Sequence, residues 1–209
     1  MNGFSKTLHL QFHVIMNLND YEIILASGSP RRKDFLESLK IPFTIKTHCV
    51  DESFPPELKG NEIAEFIVRQ KNAPFVNVIQ PKQIVITADT IVWCENRCLG
   101  KPKNKKIAKE MLKFLSGKSH EVITSVGFLT AKKFEIITEN TKVFFKNLAD
   151  QEIDYYIENE MPIDKAGAYG IQEWIGEIGI IQIVGSYTNV VGLPLAQVKE
   201  KISLLVQEQ

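Results

Sequence analysis

Cysteine is scarce in this sequence, and the few cysteines show no pattern of a disulfide framework or a zinc site. Cys49, Cys94 and Cys98 are the three among 209 residues. Cys94 and Cys98 lack a second pair or nearby histidines at the spacing of zinc ligands. The pattern excludes the disulfide-rich secreted class and predicts packed or free thiols in a reducing cytoplasm.

An excess of charge of one sign is also absent, as are long apolar runs. The 25 Lys and Arg residues balance the 25 Asp and Glu residues, so no global field favours a nucleic-acid polymer or an anionic membrane. The longest uncharged apolar runs fall far short of a membrane span. We expect a soluble globular protein that partners neither, in which any anion binding is local.

Two common catalytic signatures are missing. The triplet Gly117-Lys118-Ser119 lacks the first glycine of a Walker A loop, because Leu112 stands five positions before Gly117. None of the four histidines is visibly paired with a serine or cysteine nucleophile. Covalent catalysis based on histidine therefore has little support.

The first 19 residues have neither the long apolar core nor the small-residue cleavage site of a signal peptide. We treat residues 1–19 as an N-terminal extension, with Met16 as an alternative start. No repeat or low-complexity linker divides the rest. We therefore predict a single α/β domain over residues 20–209.

Apolar runs alternate with helical periodicities along the domain, which predicts a mixed α/β fold. The predicted strands cover residues 21–27, 41–50, 83–94, 120–130, 134–148 and 180–186. The predicted helices cover residues 30–40, 61–71, 104–118, 150–161 and 194–206. The glycine-punctuated segment 164–179 is predicted to be a loop.

The stretch "ILASGSPRRKDFLESL", residues 24–39, predicts an anion site. A strand leads through small residues to a helix with Ser29 at its N-cap and Pro30 at its first position, where free amides point outward. Arg31 and Arg32 are unfavourable at this positive end of the helix dipole unless an anion lies nearby. From these residues alone, pairing of the arginines with distant carboxylates is an equally good interpretation.

Asp89 is hard to explain structurally, because it follows the apolar run "IVITA". We expect it at the carboxyl end of a strand, the edge where α/β sheets bind ligands. With Glu52 it could hold a divalent metal beside bound phosphates. The alternative is an aspartate that forms a turn or caps a helix. Lys71 and Lys101 are individually weak signals, since most lysines are solvated.

The segment "DKAGAYGIQ", residues 164–172, has the small residues of a loop that closes over a flat ligand. The Gln172 amide could hydrogen-bond such a ligand. An ordinary flexible turn would have the same composition.

Taken in order, six motifs resemble the Maf family of nucleoside triphosphate pyrophosphatases. The resemblance covers about residues 23–206, and the motifs are "ASGSPRR" at 26–32, "DE" at 51–52, "ADT" at 88–90, "GKP" at 100–102, "DKAGAYGIQ" at 164–172 and "VVGLPL" at 190–195. It implies an elongated two-lobed α/β fold with a central cleft, similar to inosine triphosphatase. It also implies a cytoplasmic homodimer that uses Mg²⁺ or Mn²⁺ to cleave nucleoside triphosphates between the α and β phosphates.

The resemblance also assigns roles to individual residues. Asp89 matches the proton acceptor, and Glu52 with Asp89 matches the metal site. The positions for substrate choice are Arg31, Thr90 and Gln172, and those for phosphate binding are Ser29, Arg31, Arg32, Lys71 and Lys101. The form of the last loop resembles the branch that acts on dTTP, UTP and modified pyrimidine nucleotides.

Two departures and two alternatives accompany this resemblance. Glu173 and Trp174 follow Gln172 where a glycine often follows, and Asn72 follows Lys71 where a small residue often stands.

One alternative function is a pyrophosphatase for N7-methyl-GTP or another modified nucleotide. The other is a non-catalytic nucleotide sensor that regulates cell division.

Overall fold

The computed structural model describes residue 18 and residues 20–208. The predicted extension over residues 1–19, with the alternative start at Met16, thus lies outside the described residues except for Leu18. In chain order the elements are β1 (Glu22–Leu25), α1 (Pro30–Ser38), β2 (Phe43–Ile45), α2 (Asn61–Asn72), a short 3-10 helix (Ala73–Phe75), β3 (Gln83–Cys94), β4 (Arg97–Leu99), α3 (Lys105–Leu115), β5 (Ser119–Leu129), β6 (Phe134–Phe145), α4 (Asp150–Glu160), a second 3-10 helix (Ala166–Ala168), α5 (Trp174–Gly179), β7 (Ile180–Val184), α6 (Tyr187–Val191) and α7 (Leu195–Gln207).

The strands form one mixed sheet in the order β2-β1-β3-β5-β6-β7, with β4 paired to β3. The pairs β2/β1 and β1/β3 are parallel, whereas β3/β5, β5/β6, β6/β7 and β3/β4 are antiparallel. Parallel pairs require crossovers, which α1 and α2 supply, and antiparallel pairs need only short turns. The predicted mixed α/β fold is confirmed.

The pairing of β3 determines where the site lies, because the two edges of this strand have different neighbours. One edge pairs with β5 from Val85 to Trp93. The other pairs with β1 only as far as Ile86, and with β4 only from Val92 onward. Among the described residues, no strand covers residues 87–91 on this second edge. The gap leaves backbone groups of β3 without a strand partner, so that side chains or a ligand can bond them.

The hydrophobic core divides into two large clusters at the two ends of β3. At the amino end, α1 and α7 pack around Ile84, Ile86 and Phe128. At the carboxyl end, α3, α4 and α5 pack around Val92 and Val122. Because side chains alternate along a strand, α2 meets the opposite face at Ile91 and Ile123. The two large clusters thus lie along one continuous mixed sheet.

Three local predictions need correction. Residues 164–179 are not a loop throughout, because Trp174–Gly179 forms α5 and buries Ile175 completely. The second strand is three residues long rather than ten, since only Phe43–Ile45 pairs with β1. The five-residue helix α6 was not predicted; it begins where the Ser186 hydroxyl accepts a hydrogen bond from the Asn189 amide.

Two sequence expectations concern the cysteines and the membrane. All three cysteines are free thiols, as predicted. Within the residues that the structure describes, every helix is too short or too polar to cross a bilayer.

Candidate active site

A cleft of about 440 Å³ opens at the gap beside β3. Its volume lies in the range of pockets that bind small molecules. Every site residue predicted from the sequence lines it: Ser29, Arg31, Arg32, Glu52, Lys71, Asp89, Thr90, Lys101 and Gln172. The structure thus brings together residues separated by more than 140 positions in the chain, and the role of each stays a prediction.

The first turn of α1 faces this cleft. Ser29 occupies the N-cap position, but its side chain makes no capping hydrogen bond. The turn contains no acidic residue that would compensate the helix dipole. Its amides therefore remain suited to an anionic ligand.

Arg32 is held inside the protein rather than displayed on its surface. Its Nε donates to the Gly192 carbonyl at 2.9 Å, and Nη1 donates to the Ala88 carbonyl at 3.0 Å and to Ser27 Oγ at 3.2 Å. Nη2 donates to Thr90 Oγ1 at 3.1 Å. Among the described residues these contacts use four of the five guanidinium N–H groups, which leaves one for a ligand.

Burial lowers the pKa of Arg32, and the nearby Asp89 carboxylate opposes that effect. Arginine nevertheless remains charged in proteins. Arg32 therefore supplies a fixed positive charge with little freedom to move.

Arg31 has a different partner, although it adjoins Arg32 in the chain. Its Nη1 lies 2.8 Å from Asp164 Oδ2, a carboxylate 133 positions away. Burial raises the pKa of Asp164, but hydrogen bonds from Lys165 and Arg31 outweigh it and bring the pKa to about 2. The sequence left two interpretations of Arg31, an anion site or pairing with a distant carboxylate. The structure shows the pairing.

Asp89 lies in the middle of β3 rather than at its carboxyl end, because β4 and β5 continue to pair beyond it. It neither forms a turn nor caps a helix. Its position is instead just past the last β3 residue that pairs with β1. The strand whose carboxyl end lies near Asp89 is therefore β1, and not β3 as predicted.

Lys71, on α2, bridges two carboxylates. Its Nζ lies 2.7 Å from Asp89 Oδ1 and 2.9 Å from Glu52 Oε1. Burial raises the pKa of Glu52, yet the hydrogen bond and charge of Lys71, together with Lys101 and Arg32, lower it overall. Glu52 is therefore ionised at neutral pH.

The same pair of carboxylates fits the chemistry of a hard divalent cation. Glu52 and Asp89 already share one positive charge, the Lys71 ammonium. Over residues 18 and 20–208, no group of three or more His, Cys, Asp or Glu side chains is arranged to hold a metal. Two carboxylates suit Mg²⁺, which is usually held by one or two of them together with substrate phosphates.

Several cleft residues were not predicted individually. Asp164, Lys165 and Tyr169 lie in the segment quoted as a ligand loop, so the signal was present but was assigned only to Gln172. His48 and Cys49 follow β2 and also line the cleft. No sequence pattern marked those two residues.

Comparisons with known proteins identify the family that this chain matches. A family model described as Maf-like protein matches residues 22–205. The dTTP/UTP pyrophosphatase of Flavobacterium johnsoniae is 51% identical over 189 residues, which cover 90% of this chain and 97% of the relative. The dTTP/UTP pyrophosphatase of Bacteroides fragilis is 47% identical over 193 residues, which cover 92% of this chain and 100% of the relative.

Solved structures give a more distant likeness. The Staphylococcus aureus Ham1 protein is 14% identical with a TM-score of 0.48, and the match covers 86% of this chain and 99% of that one. A likeness of this degree carries no argument about function.

Proposed function

The chain belongs to the Maf-like protein family, and from this membership we propose that it hydrolyses dTTP and UTP to the monophosphate and pyrophosphate. The names of the similar Flavobacterium and Bacteroides enzymes support this substrate class. One observation carries the proposal: Glu52 and Asp89 meet at Lys71 in a cleft that Arg31, Arg32 and Lys101 also line. Carboxylates beside several cations are what hydrolysis of a polyphosphate requires.

The triphosphate would lie against the first turn of α1. Arg31, Lys101 and the last N–H of Arg32 would neutralise its charge, together with the amides of that turn. Positioning and charge neutralisation supply most of the rate in such reactions, since the protein itself contributes little covalent chemistry.

Asp89 would orient a water molecule and accept its proton. Lys71 donates to Oδ1, so the other oxygen, Oδ2, is the one that would accept the proton. The water oxygen bonds to the α-phosphorus, the bond from that phosphorus to the bridging oxygen breaks, and pyrophosphate leaves.

Glu52 and Asp89 would hold the metal, Mg²⁺ or Mn²⁺. When bound, such an ion neutralises phosphate charge and lowers the pKa of a water bound to it. Lys71 would hold the two carboxylates close together before the ion binds.

Gln172 would select the base. Its amide carries both a donor and two acceptor lone pairs, which match the alternating acceptors and donor on the edge of uracil or thymine. Thr90 would act through Arg32, because its hydroxyl accepts from the Arg32 Nη2 and contacts Thr124 Oγ1 at 2.9 Å.

The experiment is product analysis of the purified chain with a panel of triphosphates. The panel is dTTP, UTP, dCTP, ATP, GTP and N7-methyl-GTP, each with Mg²⁺, Mn²⁺ or a chelator. We expect pyrophosphate and monophosphate from dTTP and UTP, only with metal. In ¹⁸O-labelled water, the label should enter the monophosphate, because attack is on the α-phosphorus. Binding without product would indicate a sensor, and preference for N7-methyl-GTP would contradict the pyrimidine assignment.

Two variants test the assigned carboxylates. Asp89→Asn should lose about 10³-fold in kcat while the chain still folds, although loss of the ion pair with Lys71 should lower its unfolding temperature. Glu52→Gln should need much more metal for half-maximal rate, whereas Glu57→Gln, an exposed carboxylate in the same loop, should behave as the wild type. Near-normal turnover by Asp89→Asn would refute its role as the base.

We further propose that the enzyme is a cytoplasmic homodimer. The family resemblance supports both parts of this proposal, and the three free thiols support the cytoplasmic location. Sedimentation velocity at micromolar concentration would measure the assembly directly, and a monomer would contradict it.

A further inference from the structure

Glu173 is the residue at which this chain departs from the glycine that often follows the glutamine of the last motif. It occupies the N-cap position of α5, but its side chain does not cap that helix. The side chain instead turns back over the segment 164–172. It is 20% exposed there, between α4 and the cleft.

The Glu173 carboxylate uses both of its oxygens. Oε1 lies 2.8 Å from Lys165 Nζ, and Oε2 accepts a hydrogen bond from the Tyr156 hydroxyl. The same hydroxyl accepts a hydrogen bond from the Gly170 amide at 3.0 Å. Glu173 thus joins the beginning of the segment, at Lys165, to its end, at Gly170.

The anchor of this arrangement is Tyr156 on α4, whose side chain is completely buried. Burial, and then the hydrogen bond to Glu173, raise the pKa of Tyr156. The hydroxyl therefore stays protonated and remains a donor. Since α4 belongs to the carboxyl-end core, the anchor does not depend on the cleft being filled.

Gly170 supplies the room that the carboxylate occupies. A Cβ atom at this position would lie 2.6 Å from Glu173 Cδ and 2.7 Å from Oε2. Neither distance is compatible with the observed contact, so the glycine and the glutamate fit together.

The contacts continue across the cleft. Lys165 Nζ also lies 2.7 Å from Asp164 Oδ1, and Asp164 pairs with Arg31. Tyr156, Glu173, Lys165, Asp164 and Arg31 therefore form one chain of contacts from α4 to the start of α1. Lys165, Asp164 and Gly170 all line the cleft beside Gln172.

We propose that Glu173 is a positioning residue for substrate choice, which fixes the segment 164–172 so that Gln172 meets the base in one orientation. The inference rests on the proposed function, since it concerns which nucleotide the same cleft selects. With glycine at this position, Lys165 and the Tyr156 hydroxyl would lose their shared acceptor. The segment would then sample more orientations, and binding of the base would weaken.

The experiment compares variants of Glu173 with a matched control. Glu173→Gly removes the contacts with both Lys165 and Tyr156. Glu173→Gln keeps an acceptor for the Tyr156 hydroxyl but loses the charge beside Lys165. Tyr156→Phe removes only the hydroxyl that donates to Glu173. Glu177→Gln is the control, because Glu177 is an exposed carboxylate on the same short helix. The readouts are kcat and KM for UTP and GTP, and the Kd for the α,β-methylene analogue of UTP, which is not hydrolysed.

We expect Glu173→Gly to raise KM for UTP and Kd for the analogue about tenfold, with kcat within about threefold. Its preference for UTP over GTP should fall by a similar factor. Tyr156→Phe and Glu173→Gln should give smaller changes in the same direction. In a Gln172→Ala background, Glu173→Gly should have little further effect on base preference, because the two residues then act as one unit.

Two results would overturn the inference. One is that Glu173→Gly and Tyr156→Phe match Glu177→Gln in KM, Kd and base preference, even if they unfold at a lower temperature. The other is full additivity with Gln172→Ala. A wild type that binds the analogue but releases no pyrophosphate would contradict the proposed function alone, and the Kd ratios would still decide the role of Glu173.

Discussion

The floor and the rim of the cleft are built in opposite ways, although Arg32 and Arg31 are neighbours in the chain. We define the floor as Arg32, Lys71, Asp89 and Thr90, and the rim as Arg31, Asp164, Lys165 and Glu173. In the floor, Arg32 is 9% exposed and donates to two backbone carbonyls and to the hydroxyls of Ser27 and Thr90. In the rim, Arg31 and Asp164 are joined side chain to side chain, with Asp164 53% exposed.

The floor and the rim differ in how strongly their contacts are tied to the stability of the fold. A buried charge cannot lose its partners without a large loss of stability, so the floor is tied to folding. The Arg31–Asp164 pair of the rim is more exposed, and such ion pairs contribute little to stability and are screened by salt. Substitutions in the floor should affect folding and turnover together, whereas substitution of the exposed Asp164 in the rim should affect nucleotide binding alone.

The largest expected effect breaks the floor at Arg32. Arg32→Met removes the guanidinium donors to the Gly192 and Ala88 carbonyls, and it leaves the Lys71 ammonium as the cation that contacts Asp89. Because buried polar groups lose their partners, we expect the free energy of unfolding to fall by about 3 to 5 kcal/mol and turnover to fall at least about 100-fold. Urea unfolding and a pyrophosphate assay measure the two effects.

The control for this change is Lys33→Met, one position along the same helix, where the side chain is 49% exposed and pairs with Glu37. It should alter stability by no more than about 0.5 kcal/mol. Equal stability of the two variants would show that the buried contacts of Arg32 do not hold the floor.

A smaller effect concerns pH, through the buried His120 beneath Tyr169. Its Nε2 lies 2.7 Å from the Tyr169 hydroxyl, while Nδ1 has no hydrogen-bond partner among the described residues. Burial lowers the pKa of His120 to about 4. Between pH 6.5 and 4 the unfolded chain therefore binds more protons than the folded one, and stability falls as the pH falls.

The loss from His120 should reach on the order of 3 kcal/mol at pH 4 relative to pH 7. Urea unfolding at several pH values measures it, and His120→Gln should flatten the slope in this window. The rim behaves differently, because the pKa of Asp164, near 2, delays its protonation to more acidic solutions. An unchanged slope in His120→Gln would show that other groups cause the dependence.

The sequence predicted the elements of the floor better than those of the rim, for a physical reason. Pro30, Ser29 and the two arginines form a local pattern, and the apolar run before Asp89 marks a central strand. Periodicity and helix-start chemistry act over a few residues, so they can be recognised without the fold. These patterns predicted the mixed α/β class, which the sheet confirms.

Contacts between distant segments could not be predicted in the same way. The Arg31–Asp164 pair spans 133 positions, and the Glu173–Tyr156 contact joins two helices. The position of Asp89 within its strand could not be predicted either, because β3 continues past it through its pairing with β4 and β5. The sequence marks Glu173 only as a departure from the family pattern, and its contacts with Lys165 and Tyr156 are visible only in the structure.

The smallest expected effect tests the rim at Asp164. Asp164→Asn removes the carboxylate that competes with a triphosphate for Arg31, so KM for UTP should fall about twofold to threefold at low salt. The difference from the wild type should shrink as NaCl rises, and stability should change by no more than about 0.5 kcal/mol. The matched control is Asp154→Asn, equally exposed and paired with Lys109 between α3 and α4. A higher KM in Asp164→Asn would mean that this carboxylate helps to place Arg31 for the substrate, and the rim would then be preformed like the floor.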